Sequence, residues 1–269
     1  MADISELSKI AQEAPQIALS AFNTGLSQRW KFLQRTVSDT RKMFEPLERS
    51  IRDEFIPALL GRQVSDTERR ILALPYRYGG MGILNPIDTA DREYRASREI
   101  TSDLTDLIYQ QNMNLQLLDK EKIRKKKNEM HQLKEDRLKN EHEEISDLLE
   151  EKQKRLLQAA KEKGASSWLS ALPIQRLGYT INKQEFRDAI CLRYGWNISD
   201  MPKFCGCGQA NSLDHVLICK KGGYVSMRHN ILISVQPSGY VCINHNTVNS
   251  AQIQYLKGGP AKISQGWIS

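Results

Sequence analysis

A chain of 269 residues with 40% hydrophobic content is long enough to bury one large core or two small ones. Its net charge of +7 and isoelectric point near 9.1 suit a polyanionic partner such as nucleic acid. No run approaches the roughly 20 apolar residues that cross a bilayer, and the N-terminus lacks the basic-then-apolar plan of a secretory signal, so a membrane or secretory protein is not expected. An intracellular location, nucleus or cytoplasm, is expected, and in that setting five cysteines serve as reduced thiols that hold metal more readily than they form disulfides.

The first expected region, residues 1–90, carries apolar groupings at helical spacing, such as Trp30, Leu33 and Val37, then Phe44, Leu47, Ile51 and Phe55. Ser65, Asp66 and Thr67 stand before Glu68 and the apolar Ile71, Leu72 and Leu74, a capped helix start that Pro75 closes. The glycines of Gly79, Gly80, Met81, Gly82, Ile83 demand a turn or a close backbone approach.

Residues 91–163 contain neither glycine nor proline and are rich in Lys, Arg, Glu, Gln and Leu, so one or two long charged helices are expected. Leu138, Ile145, Leu148, Leu149, Leu156 and Leu157 form a rough apolar stripe without a sustained heptad, which leaves a coiled coil and helix-mediated self-association open. Arg124, Lys125, Lys126 and Lys127 form a basic run suited to phosphates or to a nuclear address. Glu121, Glu129, Glu135 and Asp136 surround it, and a solvated helix face laced with opposite charges accounts for the run more simply.

Residues 164–231 form a third region. Trp168, Leu169, Leu172, Pro173, Leu177 and Tyr179 are expected to build a small core that leads into a helix with Phe186, Ile190 and Tyr194 on one face. Beyond it, Cys205, Cys207, His215 and Cys219 read C-x-C-x7-H-x3-C. Three thiolates and one imidazole are a closed tetrahedral zinc set, and a His and a Cys four residues apart share one face of a helical turn. With all four positions filled by protein, such an ion holds structure and leaves no place for a reacting water. Gly206 and Gly208 supply the backbone freedom of a tight knuckle. Cys191 falls on the apolar face of its helix and Cys242 in the weakly patterned tail, so each reads as a buried or free thiol. Lys220 and Lys221, with Arg228 and His229, are further candidates for phosphate contact; His229 equally suits a spare ligand or a hydrogen-bonding residue. Residues 232–269 lack periodicity and are expected to be irregular.

Two blocks resemble the reverse transcriptases of non-long-terminal-repeat retrotransposons, in the part that follows the polymerase palm. The first, from Ile10 to Ile108, is similar to the thumb and carries WKFLQRT (Trp30 to Thr36), IRDEFIPALL (Ile51 to Leu60) and LPYRYGGMGILNP (Leu74 to Pro86). The second, from Gly164 to Asn230, carries GASSWLSALPI, FRDAICLRYGW, the Cys/Cys/His/Cys set and KGG followed by RHN, and is similar to the zinc knuckle that precedes a restriction-like endonuclease. The resemblance implies a thumb that packs along a primer and template duplex, with RNA, DNA or a hybrid as partner. The chain departs from that family where its chemistry lies: no adjacent aspartate pair occurs, and after Asp214 there is no Asp or Glu to hold nuclease metals. The expectation is therefore a mainly α protein with a helical thumb-like region, a long charged helix, a small zinc-knuckle subdomain with structural Zn2+ and an irregular tail. Its expected function is a non-catalytic nucleic-acid-binding remnant, and the alternative is a zinc-stabilised helical scaffold for protein interaction.

Overall fold

In a computed structural model the described residues are 2–111, 119–198, 201–212, 215, 218, 219 and 221. They are mainly helical, contain no β-strand, and divide into two compact units, Met1–Pro173 and Ile174–Ser269. No helix among them is long and apolar enough to cross a membrane. The irregular tail expected over residues 232–269 lies outside the described residues.

The first unit begins with short helices α1 (Ala2–Glu13), α2 (Pro15–Ala21), α3 (Ser27–Thr36), α4 (Glu45–Ser50) and α5 (Ile56–Leu60). Two π-helical turns, Phe22–Leu26 and Ile51–Phe55, interrupt the series. Pro57 lacks an amide proton and its ring would crowd the carbonyl of Asp53, so the backbone widens just before it. The two turns deliver Phe22 and Phe55 to the middle of the core, where the rings stack at 4.7 Å with Trp30 tilted against Phe22. On α3 the polar Ser27 and Gln34 are buried, the Gln34 amide nitrogen donating to Pro86 O at 2.8 Å and to Thr89 Oγ1, while Leu33 and Val37 of the expected apolar stripe are about half exposed. The face of α3 that meets the next long helix decides this, and that helix brings hydrogen-bond acceptors to it.

Helix α6 (Asp66–Ala73) starts at the expected cap: Ser65 Oγ accepts from the Glu68 amide, and a Glu68 carboxylate oxygen accepts from the Ser65 amide. Pro75 ends it, and the chain folds back so that Met81 and Ile83 donate to Leu72 O and Gly82 donates to Leu74 O. Gly79 and Gly82 lie in the left-handed region (φ 83° and 70°). A Cβ on Gly80 would lie 1.9 Å from Leu74 O, so only glycine fits that crossing. Arg69 pins the loop from beneath, with a fork of two bonds to the Glu48 carboxylate at 2.7 and 2.8 Å and a third bond to Ile83 O; all but 5% of its surface is buried.

The expected charged helix is a hairpin of α7 (Pro86–Tyr109) and α8 (Lys120–Asp147), followed by α9 (Glu151–Ala159). Asn85 caps α7 by accepting from the Ile87 amide, and Pro86 takes the first position, where its missing N–H costs nothing. α8 doubles back on α7 of the same chain and is tied to it by Lys122 and Lys126 on Asp103 (2.9 and 3.3 Å) and by Lys134 on Glu93. Leu157 of α9 covers the Gly79 turn, and Leu169 of α10 (Ser167–Ser170) is buried while Ser166 Oγ donates to Tyr76 O. Residues 164–173, read from sequence as the opening of the third region, thus belong to the first unit.

In the second unit, α11 (Lys183–Tyr194) is opened by an Asn182 and Glu185 capping box and closed by Gly195 in the left-handed conformation. Its core is Phe186, Ala189, Ile190, Cys191, Tyr194 and Trp196, the last two with ring centroids 4.7 Å apart. Leu177 and Tyr179, placed by their apolar character in a small core, are exposed here, as is Leu172 at the end of the first unit. Leu177 closes a single 3-10 turn (Gln175–Leu177), and Leu172 and Tyr179 lie on irregular backbone before α11, so none sits on an α-helical face that would carry it inward.

Candidate metal centre

The four residues singled out by spacing converge. The ligand atoms of Cys205, Cys207, His215 and Cys219 all lie within 4.8 Å of one another. Cys205 Sγ and Cys219 Sγ are 3.7 Å apart, and Cys207 Sγ and His215 Nε2 are 3.1 Å apart. A tetrahedral ion with the usual metal–ligand lengths places thiolate sulfurs about 3.8 Å apart and sulfur and nitrogen about 3.5 Å apart, so the set is close to closing around one ion through Nε2 of the histidine.

Two local devices build it. The first is a tight hairpin: Asn211 donates to Lys203 O, Cys205 donates to Gln209 O, and Phe204 bridges Ala210. Gly208 turns the chain with φ 88° and donates to Cys205 O at 2.8 Å, so two thiols one residue apart face the same point. The second is a helical turn in which the Cys219 amide donates to His215 O, with Ser212 Oγ accepting from the His215 amide. Ser212 was not singled out from the sequence, although a hydroxyl three residues ahead of a ligand that opens a turn is a legible cap.

Burial is partial: Cys219 is buried and the other three are intermediate. The Cys207 amide hydrogen bond favours the Cys205 thiolate, but desolvation and the neighbouring Cys219 and Cys207 sulfurs outweigh it, so the Cys205 pKa lies above the ordinary thiol value. Crowded thiols of this kind give up their protons to a cation, and the donor set fits a soft or borderline divalent metal. Among the described residues of the knuckle, the large apolar side chains Phe204 and Ile218 are 68% and 70% exposed.

The remaining candidates divide. Arg124, Lys125, Lys126 and Lys127 lie on α8 in the first unit. Lys126 is turned inward, donating to Ser102 Oγ and pairing with Asp103, and Arg124 pairs with Glu121 at the surface. Lys125 and Lys127 are exposed, as is Lys221 in the second unit. Lys220, Arg228, His229 and Cys242 lie outside the described residues. Cys191 is buried in α11, as its place on the apolar face implied. No protein-family model, curated protein or solved structure matches this chain.

Proposed function

We propose that the chain is a non-catalytic nucleic-acid-binding protein derived from the thumb and knuckle of a retrotransposon reverse transcriptase, with structural zinc at Cys205, Cys207, His215 and Cys219. The observation that carries it is the convergence of that three-thiol, one-imidazole set in a chain of net charge +7. Zinc is the metal this donor set favours, because thiolates and imidazole suit a tetrahedral d10 ion and four protein ligands leave it no open position. Lys125, Lys127 and Lys221 supply exposed cations for phosphates, contacts that position a strand without reading its sequence. The missing aspartate pair and the run without Asp or Glu beyond Asp214 support binding without polymerase or nuclease chemistry.

Titration of an RNA/DNA hybrid and a DNA duplex over a range of salt tests this reading. Binding is expected to fall linearly in log–log form as counterions are released, and Lys125→Gln with Lys127→Gln should reduce the slope on DNA by roughly 1.8, at about 0.9 per phosphate contact. The second reading, a zinc-stabilised helical scaffold, is favoured by one observation: Lys122 and Lys126 are spent within the α7–α8 hairpin. A binding constant that ignores salt, or no binding at all, decides for the scaffold.

A further inference from the structure

Two arginines of the α7–α8 hairpin share a cavity with Asp88, Asp91, Glu141 and Glu144 of the same helices yet form no ion pair with them. Arg92 on α7 and Arg137 on α8 line a cavity of about 860 Å³, and both also line an adjoining one of about 500 Å³. The Nε atoms of both guanidiniums are buried without a hydrogen-bond partner, and neither side chain makes an ion pair among the described residues. Asp88 and Glu141 are near enough to be felt by Arg92, yet neither closes to an ion pair with it. Burial, then the charge of Arg137, lowers the Arg92 pKa, and Arg41 adds to the repulsion. Arginine does not escape by losing its proton. Two half-buried like charges with idle donors are costly unless an anion meets them.

We propose that Arg92 and Arg137 form a phosphate-binding fork for a nucleotide, its phosphoryl group between the two guanidiniums and its nucleoside in the larger cavity. Guanidinium donors match phosphate oxygens two at a time, which a lysine pair cannot do. Arg95 lines both cavities as well and adds positive charge at the same wall. Tyr76, Leu84, Met130 and Leu133 line the larger cavity with apolar surface suited to a flat base and sugar, and its volume is that of a small-ligand site. The phosphoryl group could belong to a free nucleotide or to a residue of a strand. This assignment does not rest on the nucleic-acid reading or on the metal centre, which lies in the other unit.

Chemical-shift titration of the full chain with inorganic phosphate, adenosine monophosphate and a short oligothymidylate tests it. Adenosine monophosphate is expected to bind more tightly than phosphate and to shift amides around residues 92 and 137. Arg92→Gln and Arg137→Gln should each weaken it at least tenfold, whereas Lys139→Gln, exposed on the same helix, should leave it unchanged. If a glutamine variant loses helical signal, Arg92→Lys decides, since it keeps the charge and loses the fork: a several-fold loss supports the fork, and unaltered affinity overturns it. An oligothymidylate that competes with adenosine monophosphate identifies a strand as the source, and one that does not identifies the free nucleotide. Silence toward both adenosine monophosphate and phosphate at millimolar concentration, or equal affinity in wild type and both folded glutamine variants, overturns the site.

Discussion

Replacing Gly80 by alanine puts the loop between Leu74 and Ile83 under a calculable strain. The new Cβ would lie 1.9 Å from Leu74 O and 2.4 Å from the carbonyl carbon, both backbone atoms that cannot rotate aside. Relief requires the two strands of the loop to part by roughly 1 Å, because close-packed interiors do not absorb such an overlap. Across that gap run three backbone bonds, Met81 to Leu72 O at 3.3 Å, Ile83 to Leu72 O at 3.0 Å and Gly82 to Leu74 O at 2.9 Å. Stretched by that amount they pass the distance at which such bonds count, and at about 1 kcal/mol each their loss comes to about 3 kcal/mol. The Arg69 bond to Ile83 O is endangered as well. Gly25→Ala is the control, because a Cβ there meets nothing within 4 Å, and it should be neutral or stabilising by about 0.5 kcal/mol. Urea unfolding followed by circular dichroism gives both values. A Gly80→Ala variant within about 0.5 kcal/mol of wild type would refute the steric reasoning, since surface-like tolerance has that size.

The metal centre should release one zinc per chain to a strong chelator; Cys207→Ser should bind less than half as much while α11, with its own core and caps, keeps its helical signal. Full zinc in that variant, measured by native mass spectrometry, speaks against the four-ligand set. Arg69→Met leaves Glu48 buried without its partner and should cost about 3 kcal/mol or more, with Glu48→Gln in the same background recovering part of it; an additive double variant in the unfolding assay contradicts a coupled pair. His142 is buried, and desolvation, then Lys161, lowers its pKa in the folded protein, so the unfolded chain takes up the proton first as pH falls. Stability should therefore be constant above the ordinary histidine value and decline as pH drops below about 6.5, by at most about 1.4 kcal/mol per pH unit for this one group. A His142→Phe variant with the same decline between pH 7.5 and 5.5 would show that other groups carry it.

Some of this was readable without coordinates because it depends on neighbours in the chain. The Ser65 and Glu68 cap, the stop at Pro75, the need for glycine between Leu74 and Ile83 and the helical character of the charged segment all follow from backbone hydrogen bonding over a few residues. The four candidate metal-binding residues were legible for the same reason, since a C-x-C turn and an H-x3-C helical step are local geometries. The match to tetrahedral spacing, and the cap that Ser212 places under His215, emerged only with the fold.

Tertiary structure decided what depends on which faces meet. Leu33 and Val37 fit an apolar stripe, but α7 came to lie against the side of α3 that carries Gln34, so its amide nitrogen was buried with partners and the two aliphatics stayed half exposed. The basic run read as one patch, yet α8 folding back on α7 turned Lys126 inward to Asp103 and left Lys125 and Lys127 outside. Arg69 and Glu48, 21 residues apart, show no periodicity that would pair them, and only the crossing of their helices makes the buried fork. Arg92 and Arg137 are likewise ordinary charges on two helices until the hairpin sets them at one cavity. Local sequence determines where helices start, stop and turn, because those choices are settled over a few residues of backbone. The charges they must share, neutralise or leave for a ligand are settled only when distant faces exclude water between them.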